Sequence, residues 1–148
     1  MTPAGVVKGP MEAHADYSAT VLDHYRNPRN VGDIPGGAAT AQVGDPAHGD
    51  VLRLALRIEN GRVAEARFRA FGCTAAIAAG SMTTVLLVGR SIEDAARLTN
   101  EDVATALGGL PESKMHCSVL AEQAVREALA RHRAAAPAED GCRSSASR

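Results

Sequence analysis

The chain of 148 residues contains no tryptophan and only two phenylalanines and two tyrosines. Its hydrophobic core must therefore be built from leucine, valine, isoleucine and much alanine. No apolar run approaches the about 18 residues of a transmembrane helix, and residues 1–16 lack the continuous apolar centre of a signal peptide. We expect one domain in the cytoplasm, with no membrane-bound part.

Cysteine and net charge are scarce as well. The cysteines at positions 73, 117 and 142 are too few, and odd in number, for a disulfide framework, so reduced thiols are expected. The 17 acidic residues nearly balance the 16 basic ones, which argues against a nucleic-acid-binding protein. Residues 1–16 and 134–148 are small, proline and charged residues without a period, which predicts a disordered N-terminus and a flexible C-terminal tail.

The sequence before Cys73 has the two-residue period of strands. Residues 39–45 are a candidate first strand, and apolar residues alternate with other residues over 51–58 and again over 64–70. A two-residue turn between the last two strands would place charged side chains opposite leucines. We therefore expect a three-residue loop at 59–61, which pairs Leu56 with Ala64 and keeps the apolar side chains on one face.

The sequence after Cys73 is typical of helices. Residues 74–88 are apolar nearly all round, which predicts a buried central helix that Gly89 closes. Short helices are expected from Asp16 or Ser18 and from the capping patterns near 91 and 99, and a last helix should run from about 115 to 133. Together these elements predict an α+β fold with a small three-stranded antiparallel sheet packed on one side by helices.

Five side chains that bind metals in proteins stand at the ends of these elements. His48 and Asp50 lie at the mouth of the hairpin, Cys73 begins the central helix, and His116 and Cys117 begin the last one. The N-terminus of a helix favours a thiolate, the form of cysteine that binds metal or sulfur. Thiolate, imidazole and carboxylate groups can hold zinc tetrahedrally or iron in a cluster.

Ordinary structural roles also explain each of these residues, because the chain has no C-x-x-C pair. Cys73 could be a buried core thiol, His48 a solvated turn residue, and Asp50 and His116 polar residues at element ends. We expect His24 at the surface and Cys142 to be an exposed bystander in the tail. The spacing of the donors alone leaves these alternatives open.

Four sequence motifs resemble the IscU/NifU family of iron–sulfur cluster scaffolds. Residues 21–32 read VLDHYRNPRNVG, residues 44–50 read GDPAHGD, residues 71–73 read FGC, and residues 114–118 read KMHCS. The resemblance covers residues 17–133, which we take as the scaffold domain. The sequence of residues 108–119 is more similar to the N-terminal domain of NifU than to IscU.

The resemblance implies a scaffold and carrier rather than an enzyme. A cysteine desulfurase would deliver sulfur as a persulfide, an iron donor would supply iron, and a [2Fe–2S] cluster would form and pass to apo-proteins. By position, Cys117 would be the main sulfur acceptor. Cys73 and Cys117 would bind the metal together with His116 or Asp50, and Asp50 matches the family aspartate whose replacement is associated with slower cluster release.

The chain departs from the family pattern at two places. His48 stands where the family has its first cysteine, so either an imidazole replaces that thiolate or the site holds a weaker cluster, or only Zn²⁺ or Fe²⁺. IscU proteins carry Leu-Pro-Pro-Val-Lys for a dedicated Hsp70 chaperone, whereas residues 110–114 read LPESK. The resemblance therefore does not extend to that chaperone as a partner.

Two other functions stay open on the sequence alone. One is a zinc-dependent sulfur acceptor that serves a desulfurase, as in SufU-like relatives, although the insertion typical of that branch is missing between Cys73 and Cys117. The other is a metal-binding regulator that lost cluster assembly together with the first cysteine.

Overall fold

The computed structural model describes residues 5–8, 17–36, 38–45 and 49–135. The elements in chain order are β1 (Val6–Lys8), α1 (Ala19–Arg26), β2 (Ala39–Asp45), β3 (Asp50–Glu59), β4 (Arg62–Gly72), α2 (Thr74–Leu87), α3 (Ile92–Ala96), α4 (Asn100–Ala106), a 3₁₀ turn (Glu112–Lys114) and α5 (Met115–Ala135). Strands precede Cys73 and, except for α1, helices follow it. The predicted α+β class is confirmed.

The short helices begin at the capping residues that the sequence predicts. Ser18 accepts a hydrogen bond from the Val21 amide at 3.0 Å and so caps α1. Thr99 and Asp102 form a reciprocal capping box at the start of α4. Gly89, with φ of 91°, follows the end of α2 as expected.

The sheet has the strand order β1-β4-β3-β2, and β2, β3 and β4 are the three predicted antiparallel strands. The fourth strand, β1, was not predicted and falls within the segment expected to be disordered. It runs parallel to β4, with Val6 opposite Ala70, and the Val6 side chain is only 4% exposed. Three residues carry no readable period, so this strand depends on the open edge of β4 and on burial of Val6.

The predicted register of the β3–β4 hairpin is wrong by two residues. Leu56 pairs with Ala66 rather than Ala64, and the turn is the two-residue Asn60-Gly61 turn, with φ of 55° and 73°. With a two-residue turn alone, Leu56 would pair with Glu65. A β-bulge at Ala64 shifts the pairing by one residue, so that Leu56 pairs with the apolar Ala66. The apolar side chains thus share one face, as expected, through a different local arrangement.

Helices α2 and α5 cover the inner face of the sheet. Gly80 of α2 packs directly on Phe68 of β4, and a Cβ at position 80 would lie 2.7 Å from the Phe68 ring. Val125 and Leu129 of α5 complete this core and are each 1% exposed. The close approach of α2 to β4 fixes where the first residue of α2, next to Cys73, stands relative to the sheet.

His24 lies in the interior, so its predicted surface position is wrong. Its side chain is 6% exposed, and its Nδ1 lies 2.7 Å from Ser81 Oγ, which also accepts a hydrogen bond from the Arg29 amide. Burial and the nearby Arg29 lower the pKa of His24. A polar contact between α1 and α2 thus replaces the expected solvent contact.

Candidate metal and sulfur site

Three element ends meet at one point of the surface and bring together the predicted donors. Asp50 is the first residue of β3, Cys73 is the N-cap of α2, and His116 and Cys117 lie in the first turn of α5. Because β4 leads directly into α2, the hairpin and the central helix position Asp50 and Cys73 together. The 3₁₀ turn leads into α5, whose first turn carries His116 and Cys117.

The carboxylate of Asp50 connects the two helix starts. The Cys73 amide donates a hydrogen bond to Asp50 Oδ1 at 3.2 Å, and Asp50 Oδ2 lies 3.1 Å from His116 Nε2. Gly72 permits this contact, because a Cβ at position 72 would overlap Asp50 Oδ1. These two contacts fix the orientation of the Asp50 carboxylate.

His116 Nε2 also faces the second thiol, Cys117, at 3.5 Å from its Sγ. The ligand atoms of Asp50, His116 and Cys117 all lie within 4.8 Å of one another. The Sγ atoms of Cys73 and Cys117 are 3.7 Å apart. Bonds of about 2.0–2.3 Å to a tetrahedral zinc ion separate its ligands by about 3.3–3.8 Å. The contacts of 3.1, 3.5 and 3.7 Å are close to that range, so Asp50, His116 and Cys117 can face a common ion, and Cys73 adjoins them through the Cys117 sulfur.

The two thiols differ in their access to solvent. Cys117 is 1% exposed and packs against Ala75 and Ala76 of α2, with Tyr17 and Leu110 around this small apolar cluster. Cys73 is partly exposed at the rim of the same cluster. A molecule or ion in solution therefore has better access to Cys73 than to Cys117.

The two thiols differ in how readily they ionise. The hydrogen bond with Cys117 lowers the pKa of Cys73 to about 7, although burial acts in the opposite direction. The same hydrogen bond and the burial raise the pKa of Cys117. The buried sulfur thus keeps its proton, and Cys73 is the thiol of the pair that ionises first.

Four of the five sequence-predicted donors are brought together: Asp50, Cys73, His116 and Cys117. The fifth, His48, lies outside the described residues, so its ligand role stays a prediction. Cys142 lies outside them as well. The role of Gly72, which admits the Asp50 carboxylate, was not predicted, although a glycine within a strand often marks a close approach. The apolar cluster that covers Cys117 was not predicted either, because its residues come from separate segments.

Comparison with known proteins assigns the chain to a family. Residues 16–138 match the family described as the NifU-like N terminal domain. A protein of Archaeoglobus fulgidus named iron-sulfur cluster assembly scaffold protein IscU 1 is 46% identical over 113 residues, which span 76% of this chain and 74% of that protein. The nitrogen fixation protein NifU of a Nostoc species is 41% identical over 80% of this chain and 42% of its own length. The chain therefore belongs to the NifU-like N-terminal domain family.

The fold is also found in a solved structure. A crystal structure described as that of a hypothetical protein is 27% identical to the chain and superposes with a TM-score of 0.63, covering 76% of this chain and 95% of that one. Within the part of the chain that the structure describes, every helix is too short or too polar to cross a lipid bilayer.

Proposed function

We propose that this protein is a scaffold on which an iron–sulfur cluster is assembled and from which it passes to apo-proteins. The observation that carries the proposal is the convergence of two sulfurs, an imidazole and a carboxylate at one surface point. Relatives over most of the chain are named as scaffolds of this kind. The protein acts as a carrier rather than as an enzyme that turns over a substrate.

The cluster is the cargo of the site, and we assign it the [2Fe–2S] type, held by Cys73, Cys117, His48 and either Asp50 or His116. Thiolates bind iron strongly, whereas a carboxylate or an imidazole is more readily displaced. A mixed donor set of this kind holds the cargo during assembly and still allows transfer. Zn²⁺ is the expected occupant of the site in the isolated protein, because Asp50, His116 and Cys117 offer donor atoms within 4.8 Å of one another and the Cys73 sulfur lies beside them.

Sulfur delivery requires a partner that carries a persulfide, and a cysteine desulfurase supplies that chemistry. We assign Cys117 as the residue that holds the delivered sulfur, next to the iron ligands. The remaining partners are an iron donor and the apo-proteins that receive the cluster, all in the cytoplasm. A dedicated Hsp70 chaperone is not among the proposed partners, because residues 110–114 differ from the sequence that such a chaperone recognises.

Anaerobic reconstitution with a cysteine desulfurase, cysteine and Fe²⁺ tests the scaffold function. We expect visible absorption bands of a cluster, with iron and sulfide in equal amounts. The bands should weaken or vanish in His48→Ala and persist in His48→Cys, which restores a thiolate at that position. A Cys142→Ser variant serves as the control, since it removes a cysteine outside the proposed site.

Two results would contradict the scaffold function and support a different one. Bound zinc with faster desulfurase turnover and no cluster bands would identify a zinc-dependent sulfur acceptor, a function that the names of the relatives do not favour. Metal binding without cluster formation and without any sulfur transfer would identify a regulator. Unchanged cluster bands in His48→Ala would remove His48 from the ligand set and leave the scaffold function intact.

A further inference from the structure

The burial of the two site thiols is the reverse of what direct sulfur delivery to Cys117 requires. Cys117 is 1% exposed, and Ala75, Ala76, Tyr17 and Leu110 surround it, whereas Cys73 is partly exposed. A persulfide on a partner protein has to reach the accepting sulfur along the S–S bond axis, so the acceptor needs open space in front of it. In the described structure, Cys73 has better access than Cys117.

We propose that Cys73 is the entry thiol of the site and relays the delivered sulfur to Cys117. The inference rests on the proposed scaffold function and adds a second sulfur-transfer step within the protein. The proposal depends on the 3.7 Å distance between the Sγ atoms of Cys73 and Cys117, which places an accessible thiol next to a buried one.

Both steps exchange one sulfur–sulfur bond for another. In the first step, the Cys73 thiolate attacks the outer sulfur of the donor persulfide, the donor S–S bond breaks, and the proton of the outer sulfur moves to the donor sulfur that leaves as a thiol. Cys73 then carries the outer sulfur as a perthiolate. In the second step, Cys117 bonds to that outer sulfur, its thiol proton moves to the same sulfur, and Cys73 leaves as a thiolate. The sulfane sulfur keeps its oxidation state throughout, so neither an oxidant nor a reductant is needed.

The local geometry allows the second step with side-chain motion alone. An S–S bond is about 2.0 Å long, so the outer sulfur on Cys73 remains close to Cys117, whose Sγ is 3.7 Å from Cys73 Sγ. In-line transfer places the outer sulfur between the two Sγ atoms, which must then lie at least about 4 Å apart, two S–S bond lengths. Rotation of the Cys73 side chain therefore has to widen the 3.7 Å gap slightly. The apolar residues around Cys117 would then shield its persulfide from thiols in solution until iron reacts with it.

Single-turnover persulfide transfer tests the relay. All variants carry Cys142→Ser, so that sulfur can reside only on the two site cysteines, and iron is left out. A desulfurase loaded with one persulfide equivalent is mixed with the protein, and mass spectrometry of alkylated peptides locates the sulfur over time. We expect the label on Cys73 first and on Cys117 later. Cys117→Ser should trap it on Cys73, and Cys73→Ser should slow labelling of Cys117 by at least about tenfold.

A rescue variant separates lost access from a damaged fold. Leu110→Ala opens the cover of Cys117, so Cys73→Ser combined with Leu110→Ala should regain much of the labelling of Cys117. Circular dichroism spectra confirm that each variant is folded. If the rescue fails in a folded protein, the access argument behind the relay is wrong.

Three further outcomes would overturn the relay. Labelling of Cys117 at the wild-type rate in Cys73→Ser would show direct delivery and leave the scaffold function standing. A disulfide between the two cysteines with release of sulfide, before any label appears on Cys117, would show that Cys117 attacks the inner sulfur of the Cys73 persulfide and that no sulfur is relayed. No label on either cysteine, even in the parent protein, would contradict the sulfur-accepting function itself and the relay with it.

Discussion

Asp50 ties two helix starts together with its two carboxylate oxygens. One oxygen accepts a hydrogen bond from the Cys73 amide, and the other lies 3.1 Å from His116 Nε2. An exposed carboxylate without such contacts would sample many rotamers and lose entropy on binding an ion. The fixed orientation means that a metal ion meets a prepared set of donors.

Gly72→Ala should weaken metal binding without changing any donor. The added Cβ would overlap Asp50 Oδ1, so the carboxylate must rotate away from the Cys73 amide. Loss of an orienting contact of this kind typically lowers metal affinity by about 10–100-fold. Calorimetric titration of the metal-free protein with Zn²⁺ measures the effect.

Gly89→Ala is the matched control for this substitution. A Cβ at position 89 would meet nothing within 4 Å, and the residue lies at the far end of α2 from the site. Its positive φ of 91° should cost stability, while zinc affinity should stay at the wild-type value. Equal zinc affinity of Gly72→Ala and the wild-type protein would refute the orienting contact.

The ionisation of Cys73 predicts how its reactivity depends on pH. Its pKa is lowered from 9.0 to about 7, so the thiolate fraction should rise with pH and reach half its maximum near pH 7. Rates of alkylation by iodoacetamide follow the thiolate fraction. Measured in the Cys142→Ser protein without metal, the rate at Cys73 should show this midpoint, while Cys117 should react far more slowly.

Removal of the hydrogen-bonding thiol should shift that midpoint upward. In Cys117→Ala, Cys73 loses the partner that contributes most to the lowered pKa, so half-maximal alkylation should move toward the usual value. A midpoint that stays near pH 7 in this variant would show that another group stabilises the thiolate.

At the scale of single elements, the bulge at Ala64 sets the register of the hairpin. Val63 and Ala66 both face the core, and the two residues between them include the unpaired Ala64. Deletion of Ala64 would leave strict alternation from Val63 onward and preserve every other pair. We expect a loss of unfolding free energy of no more than about 1 kcal/mol, measured by urea denaturation.

Deletion of Arg67 in the same strand provides the contrast. It would bring Ala66 and Phe68 next to each other, and one of these buried side chains would have to leave the core. We expect a loss of more than about 3 kcal/mol, since burial of a phenylalanine is worth that much. Similar losses for the two deletions would contradict the assigned register.

The elements themselves could be predicted from sequence because their signals are local. Ser18, Thr99 and Gly89 mark helix ends through their own backbone and side-chain preferences, and the alternation over β3 and β4 marks the buried face. The register could not be predicted, because the choice between a longer loop and a two-residue turn with a bulge depends on packing against α2. The partners of His24 and the cover of Cys117 likewise come from distant segments.

In the site, too, the local features could be predicted from sequence and the packing could not. Asp50, Cys73 and Cys117 could be placed at element ends from the sequence, since a strand start and two helix starts are local features. Their mutual distances of a few ångström depend on how α2 and α5 pack on the sheet. The contrast in exposure between Cys73 and Cys117, on which the sulfur relay depends, follows only from the assembled molecule.

At the scale of the whole molecule, β1 brings an N-terminal segment to the edge of β4. Removal of residues 1–8 would uncover that edge and the core contacts of Val6, which is 4% exposed. We expect a loss of about 1–2 kcal/mol in the free energy of unfolding from the valine burial alone, measured by urea denaturation.

Removal of residues 1–4 is the control, because it keeps β1. This shorter truncation should have the unfolding midpoint of the full chain. If both truncations behave alike, β1 contributes no stability in solution and the sheet is effectively three-stranded.

The protonated, buried Cys117 also links the protein to the acidity of its surroundings. The raised pKa means that the sulfur gives up its hydrogen only when a cation takes its place. Each Zn²⁺ captured by Cys117 should therefore acidify a weakly buffered solution by at least one equivalent of hydrogen ion, which a pH electrode records directly. An acidic medium would then favour unloading of the ion, and a mildly alkaline one its retention.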